Sequence, residues 1–232
     1  MGVQTSSIAA NLERVRERIA RAAARSGRGS DQITLVAVSK TFRAETIREA
    51  YLAGVRHFGE NRVQEWEQKQ PLLADLPATW HLVGHLQSNK ARRAAALFHS
   101  IDSVDSIPLA QKLDGIAAEL GKRLLVLIEV QLASEPTKSG VKEEDLLGLT
   151  EAIVRLPALE LCGLMVMPPY FEDPELVRPF FRKLRELRDV LERRLGCALP
   201  ELSMGMSHDF EVAIEEGATQ IRLGTAIFGT RR

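Results

Sequence analysis

Ile33-Thr34-Leu35-Val36-Ala37-Val38-Ser39-Lys40 is a β-branched and apolar run that stops at a single lysine. A strand buried on both faces reads this way. If it belongs to a parallel α/β layer, its last residue stands at the carboxyl edge of the sheet, where such folds keep their chemistry. Lys40 is then aimed into a site. A lysine partly withdrawn from water has its charged form disfavoured, and the neutral amine can attack an aldehyde and form a Schiff base. Taken alone, a lysine at a strand end is far more often a solvated loop residue, so the rest of the chain decides.

Outward from this stretch, strand and helix alternate. Strands are expected at 56–61, 80–84, 100–104, 124–130, 161–166, 201–205 and 220–224. Helices are expected at 44–53, 64–70, 89–97, 107–120, 143–156 and 209–216, with a long charged helix ending at Gly196. The start of that helix is ambiguous, because Pro174 and Pro179 both suit a first turn and cannot share one. Before the first strand, Ile8, Leu12, Val15, Ile19 and Ala22 form one helical stripe, read as a lid or extra layer. Eight strand-helix units match an α/β fold, a (β/α)8 TIM-like barrel with an extra N-terminal helix, in one domain spanning 1–232. The rival, an open doubly wound sheet, calls for a Gly-rich first turn, and the turn here is Lys40-Thr41-Phe42-Arg43.

Composition agrees with a globular chain: 45% of 232 residues are hydrophobic and 27% charged. Thirty-one basic residues balance thirty-one acidic ones, so no global field draws the protein to nucleic acid or a membrane surface. The two cysteines, Cys162 and Cys197, lack metal-ligand spacing and suggest a reducing, cytoplasmic setting. No secretory signal is read at the N-terminus, and the myristoylation-like pattern at Met1–Ser6 is assigned to chance.

In a barrel the strand ends converge on one mouth, which gathers Lys40, Asn61, His81, Gly84, Met165, Met167, Ser207, Gly224 and Thr225. The last two loops, Ser203–Asp209 and Arg222–Thr225, occupy the positions where barrels commonly hold phosphate. A serine hydroxyl and a glycine that lets backbone N–H groups approach an anion suit that task. Ser207-His208-Asp209 reads equally as a set of N-capping residues. A nucleophile elbow is disfavoured because the second glycine of GxSxG is missing. His81 and His85 have i, i+4 spacing but no intervening glutamate and no helix, so no metal is expected.

Ala37-Val38-Ser39-Lys40, Gly59-Glu60-Asn61, the run His81–Lys90, Leu202–Ser207 and Arg222–Gly229 occur in order along the chain. In these motifs the chain resembles the pyridoxal phosphate homeostasis proteins over nearly its whole length. The resemblance implies a barrel similar to the N-terminal domain of alanine racemases, with pyridoxal 5′-phosphate as an internal aldimine. Lys40 matches the Schiff-base lysine, Ser207, Gly224 and Thr225 the phosphate cradle, and Arg222 the arginine facing the pyridine nitrogen. Asn61, His81 and Met204 match residues near the cofactor. Two departures stand out: the loop Gln131–Gly140 opens with glutamine where relatives carry asparagine, and His208 replaces a less basic residue.

The resemblance implies a cytoplasmic carrier, expected to be a monomer, that stores pyridoxal phosphate and delivers it to apoenzymes. The alternative is a small racemase-like enzyme. Racemisation needs acid-base groups on both faces of Cα, and racemases draw the second, a tyrosine, from a C-terminal domain not seen here. Tyr170, after the sixth strand, is the tyrosine nearest the expected mouth.

Overall fold

Residues 7–133 and 139–229 are described in the computed structural model. The pattern at 1–6, Lys138 and most of the loop between Gln131 and Gly140 lie outside them. β1 (Thr34–Val38) pairs in parallel with β2 (His57–Glu60) on one side and β9 (Gln220–Leu223) on the other. The ladder runs on through β3 (Thr79–Leu82), β4 (Ser100–Val104), β5 (Leu124–Gln131), β7 (Leu159–Val166) and β8 (Glu201–Ser203), every pair parallel. A β4–β5 pairing closes the ring, so the expected barrel is present and the open sheet is not. The sequence did not announce β6 (Val141–Lys142), a two-residue strand beside the end of β5.

The outer helices are α2 (Ala44–Leu52), α3 (Val63–Leu73), α4 (Ala91–Leu97), α5 (Ile107–Glu119), α6 (Glu143–Val154), α7 (Arg178–Leu195), α8 (Phe210–Glu215) and the single turn α9 (Thr225–Phe228). Because α9 is so short, the eighth place in the ring is taken by α1 (Ile8–Arg25). α1 is therefore part of the helical layer and no lid: its apolar stripe packs against α8, α9 and α2. Asn11 Nδ2 donates to the Ile227 carbonyl at 2.8 Å, and Arg18 and Arg25 pair with Glu211 and Glu215 at 2.7 and 2.6 Å.

The two prolines that competed for one first turn occupy two. Pro174 opens a 3-10 turn over Pro174–Val177, and Pro179 sits in the first turn of α7. α3 runs past its expected end through Pro71, where the missing N–H falls late in the helix.

The large apolar core lies between barrel and helices, and Val36, Val83, Leu127 and Met165 stand apart from it. They share the barrel interior with polar residues. Register puts Val36 beside His57 and Arg222, Gly59 beside His81, Met165 beside both Glu129 and Ser203, and Ser203 beside Gln220. The period of two on the strands thus turns most apolar side chains outward to the helices and leaves Asp102, Glu129 and Arg222 inside.

Between α7 and α8, Glu216 is buried and holds Arg178, Arg182 and Arg185 at 3.2, 3.0 and 3.3 Å. Burial pushes its carboxyl pKa up, but hydrogen bonds from Arg182 and Arg178 outweigh this and hold it below the ordinary 4.5. Glu216→Gln is expected to lose about 1.5–3 kcal/mol of unfolding free energy at neutral pH, read by urea denaturation. A depressed carboxylate contributes stability above its unfolded pKa and loses it as pH falls through the folded one. The gap between variant and parent should therefore narrow in acid.

Candidate functional site

The alternation that turns Val36 and Val38 inward carries on to Lys40, two residues past the end of β1. Lys40, half-buried, lines a cavity of about 300 Å³ at the carboxyl end of the barrel. Asn61, Ser207, Arg222, Gly224 and Thr225 line it too, from the ends of β2, β8 and β9. Six of the eight expected site residues therefore meet in one place. Its apolar wall includes Val38, Phe42, Val83, Met167 and Met206. Phe42, which the sequence did not single out, stacks on Phe228 with ring centroids 4.6 Å apart.

His81 and Met204 lie elsewhere: neither is among the lining residues, and Met204 is fully buried in the apolar core. His81 belongs to the barrel interior, where its Nε2 meets His57 Nδ1 at 3.1 Å. Its Nδ1 is 3.3 Å from Asp102 Oδ2, an ion-pair contact that falls short of a formed hydrogen bond. Asp102, wholly buried, accepts from Ser100 Oγ and from Gln220 Nε2, and Gln220 also donates to Ser203 Oγ at 2.9 Å. This chain of polar groups leads from the barrel interior to Arg222. His85 turns out toward Asp105 at 3.3 Å, so the two histidines of the i, i+4 pair diverge. Among the described residues no His, Cys, Asp or Glu group is arranged to hold a metal.

Arg222 is the buried cation of the cavity. Its Nη1 donates to Ser203 Oγ at 2.7 Å and its Nη2 to the Val166 carbonyl at 2.8 Å, which fix the guanidinium plane. Burial pulls its pKa down, and Asp102, Glu129 and Asp209 push it back up. An arginine stays protonated in such a setting, so the cavity holds a permanent positive charge.

Ser207 does not cap α8, the reading left open by the sequence. Its Oγ accepts the N–H groups of Gly224 and Ala226, each at 3.2 Å, and so ties the β8 loop to the β9 loop. A hydroxyl has two acceptor sites and one proton, so the proton remains to be given, from a group that faces the cavity. Asp209 precedes α8 but accepts the Met206 N–H at 2.6 Å, which folds the loop back on itself. At Gly224 a Cβ would meet nothing closer than 3.5 Å, and φ is −109°. That is ordinary van der Waals contact with the Val38 carbonyl at a negative φ, so no collision excludes a side chain there. Gly84 is the contrary case: a Cβ would come within 2.4 Å of the Asn61 carbonyl, so glycine is what lets the β2 and β3 loops touch.

At the rim, His208 Nε2 lies 2.9 Å from the Glu172 carbonyl, and its ring leans on Tyr170 at 5.2 Å. Tyr170 is 74% exposed. In the loop after β5, Ser139 Oγ donates to the buried Glu129 at 3.2 Å.

The family model for the alanine racemase N-terminal domain matches residues 5–232. A pyridoxal phosphate homeostasis protein of Aquifex aeolicus is 50% identical over 221 residues, covering 95% of this chain and 97% of its own. PipY of Synechococcus elongatus, solved with PLP bound, superposes with a TM-score of 0.87 at 42% identity, covering 96% of this chain and all of its own. Alanine racemase of Clostridium difficile, at 16% identity and a TM-score of 0.75, shares the fold over 95% of this chain and 60% of its own. A barrel whose mouth gathers a lysine, a buried arginine and a serine-glycine loop pair, together with these likenesses, makes the chain a member of the pyridoxal phosphate homeostasis protein family.

Proposed function

We propose that the chain binds pyridoxal 5′-phosphate covalently through Lys40 and serves its homeostasis by storing it and handing it to apoenzymes, with no substantial turnover of amino acids. The observation that carries this is the meeting of Lys40, Arg222 and the Ser207 hydroxyl around one cavity. The donor set fits the group. A volume of about 300 Å³ is at the small end of ligand cavities, and the apolar wall suits an aromatic ring. When bound, the cofactor supplies an aldehyde that a neutral lysine amine attacks with loss of water. Ser207, whose hydroxyl proton is still to be given, would hold the phosphate, with the Gly224-Thr225 backbone beside it. Arg222 would face the pyridine nitrogen, where its permanent charge would disfavour a proton on that nitrogen. This weakens the ring as an electron sink, which favours holding over catalysis.

The experiment that tests the site is borohydride reduction of the loaded protein followed by peptide mapping. A pyridoxyl group on Lys40 is expected; one mainly on Lys90 or Lys138 would overturn the assignment. Ser207→Ala should weaken pyridoxal phosphate binding by roughly ten- to a hundredfold, the worth of one hydrogen bond to a charged acceptor. Binding of pyridoxal, which lacks the phosphate, should barely change, as titration of both ligands would reveal.

The racemase-like reading rests on Tyr170, which reaches the cavity rim but leaves most of its ring in solvent. A group so placed is poorly fixed for proton transfer. Incubating loaded protein with L-alanine in deuterated water should show Cα exchange slower than about 1 per second, the low end of enzyme turnover. Faster exchange, abolished by Tyr170→Phe, would favour the enzyme.

A further inference from the structure

Lys40 sits in a turn that the protein holds in a strained form. The Phe42 N–H donates to the Ser39 carbonyl at 3.1 Å, so residues 39–42 make a β-turn with Lys40 and Thr41 at its centre. Thr41 has φ of +69°, and no other described non-glycine residue has positive φ. Negative φ at Lys40 followed by positive φ at Thr41 is the sign pattern of a type II turn, whose second central position ordinarily needs glycine or asparagine. A β-branched threonine there is disfavoured by the contact of its Cβ with the backbone. Strain of this kind persists only where the surroundings impose it.

The surroundings are a buried ion cluster outside the barrel wall. Type II geometry turns the Lys40–Thr41 peptide over relative to type I, and the Thr41 N–H it exposes donates to Glu65 Oε1. Lys69, its side chain only 12% exposed, donates to that same Glu65 oxygen at 2.6 Å, to Glu60 Oε1 at 2.9 Å and to the Ser39 carbonyl at 3.0 Å. Ser39 Oγ adds a bond to Glu60 at 2.7 Å. One ammonium thus grips the first carbonyl of the turn and, through Glu65, the peptide at its centre. None of these side chains lines the cofactor cavity. The turn connects them to it through Lys40 and Phe42, and Glu60 is followed directly by Asn61, which also lines it.

We propose that Glu65 and Lys69 are positioning residues that lock the Ser39–Phe42 turn in its flipped form and thereby aim Lys40 into the cavity. The role in ligand capture rests on Lys40 being the attachment point. Without the Glu65 acceptor, Thr41 relaxes to negative φ, the turn goes over to type I, and Lys40 and Phe42 leave their places in the wall.

The test compares wild type, Glu65→Ala and the double variant Glu65→Ala/Thr41→Gly, with pyridoxal phosphate as the probe. Lys69→Met is avoided because it leaves Glu60 buried without its cation. Glu65→Ala should slow covalent capture at Lys40 by about tenfold or more, the worth of the lost charged hydrogen bond. Glycine at 41 adopts positive φ freely, so the double variant should recover most of the wild-type rate although Glu65 is still missing. A general loss of structure would not be repaired that way. Wild-type speed in Glu65→Ala, or a folded double variant that stays slow, overturns the proposal. On protein without cofactor, the one-bond Cα–Hα coupling of Thr41 reports the sign of φ; it should change in Glu65→Ala, and an unchanged coupling overturns the lock. If wild type captures no cofactor at Lys40, the functional reading fails separately, and the coupling still decides whether Glu65 holds the turn.

Discussion

Lys40→Ala is expected to abolish covalent attachment of pyridoxal phosphate, with no other lysine taking over. Lys69 is the next lysine in sequence, but it does not line the cavity and its ammonium is committed to Glu60, Glu65 and the Ser39 carbonyl. Lys90 lines a separate hollow with Arg62, Gln64 and His85, which shares Asn61 with the cofactor cavity. Reaching the aldehyde from there means crossing the contact between Gly84 and Asn61, where backbone meets backbone. The visible absorption of the loaded protein should vanish in the variant, and borohydride should fix no pyridoxyl group. Reversible binding should survive, because Ser207, Thr225 and Arg222 remain around the cavity. Stability should change little, since Lys40 is only half-buried. A Lys40→Ala protein that still yields one pyridoxyl-lysine at a defined position would show that the covalent site had been misassigned.

What could be read from the sequence follows from the range of the interactions involved. The β1 run and the lysine after it were legible because strand burial and the position of a strand end are properties of a few consecutive residues. Ser207 and Gly224 were legible as a pair because barrel topology puts the last two loops side by side. The part played by Ser207 was not, since its bonds to Gly224 and Ala226 join residues 17 and 19 positions apart. His81 was expected near the cofactor, but the structure sets it inside the barrel against His57 and Asp102. A strand residue two positions below the mouth faces the same way as one at the mouth, and periodicity alone cannot give depth. The place of α1 depends on how short α9 is, and the conformation of Thr41 on a carboxylate 24 residues away. Neither leaves a local mark.

Arg222→Met should be the most damaging single substitution at the cavity. A methionine fills much of the same volume, so the loss is electrostatic and not a void. The bonds from Arg222 to Ser203 Oγ and the Val166 carbonyl are lost, leaving Ser203 only the one from Gln220, and Asp102, Glu129 and Asp209 lose the positive field that favours their ionised forms. Glu129 and Asp209 already have pKa values raised by burial, with Arg222 acting against the rise. Removing one partner of a buried charge cluster costs about 3–5 kcal/mol, and urea denaturation at neutral pH should show a loss of that order. A carboxyl whose folded pKa lies above its unfolded one costs nothing in acid and destabilises increasingly as pH rises between the two values. The deficit should therefore be smallest at low pH and grow toward neutrality as these carboxyls are pressed to ionise without their counter-ion. A variant as stable as the parent at neutral pH would mean that the three acids are neutral in the native protein. The arginine would then stand in the cavity for the ligand alone.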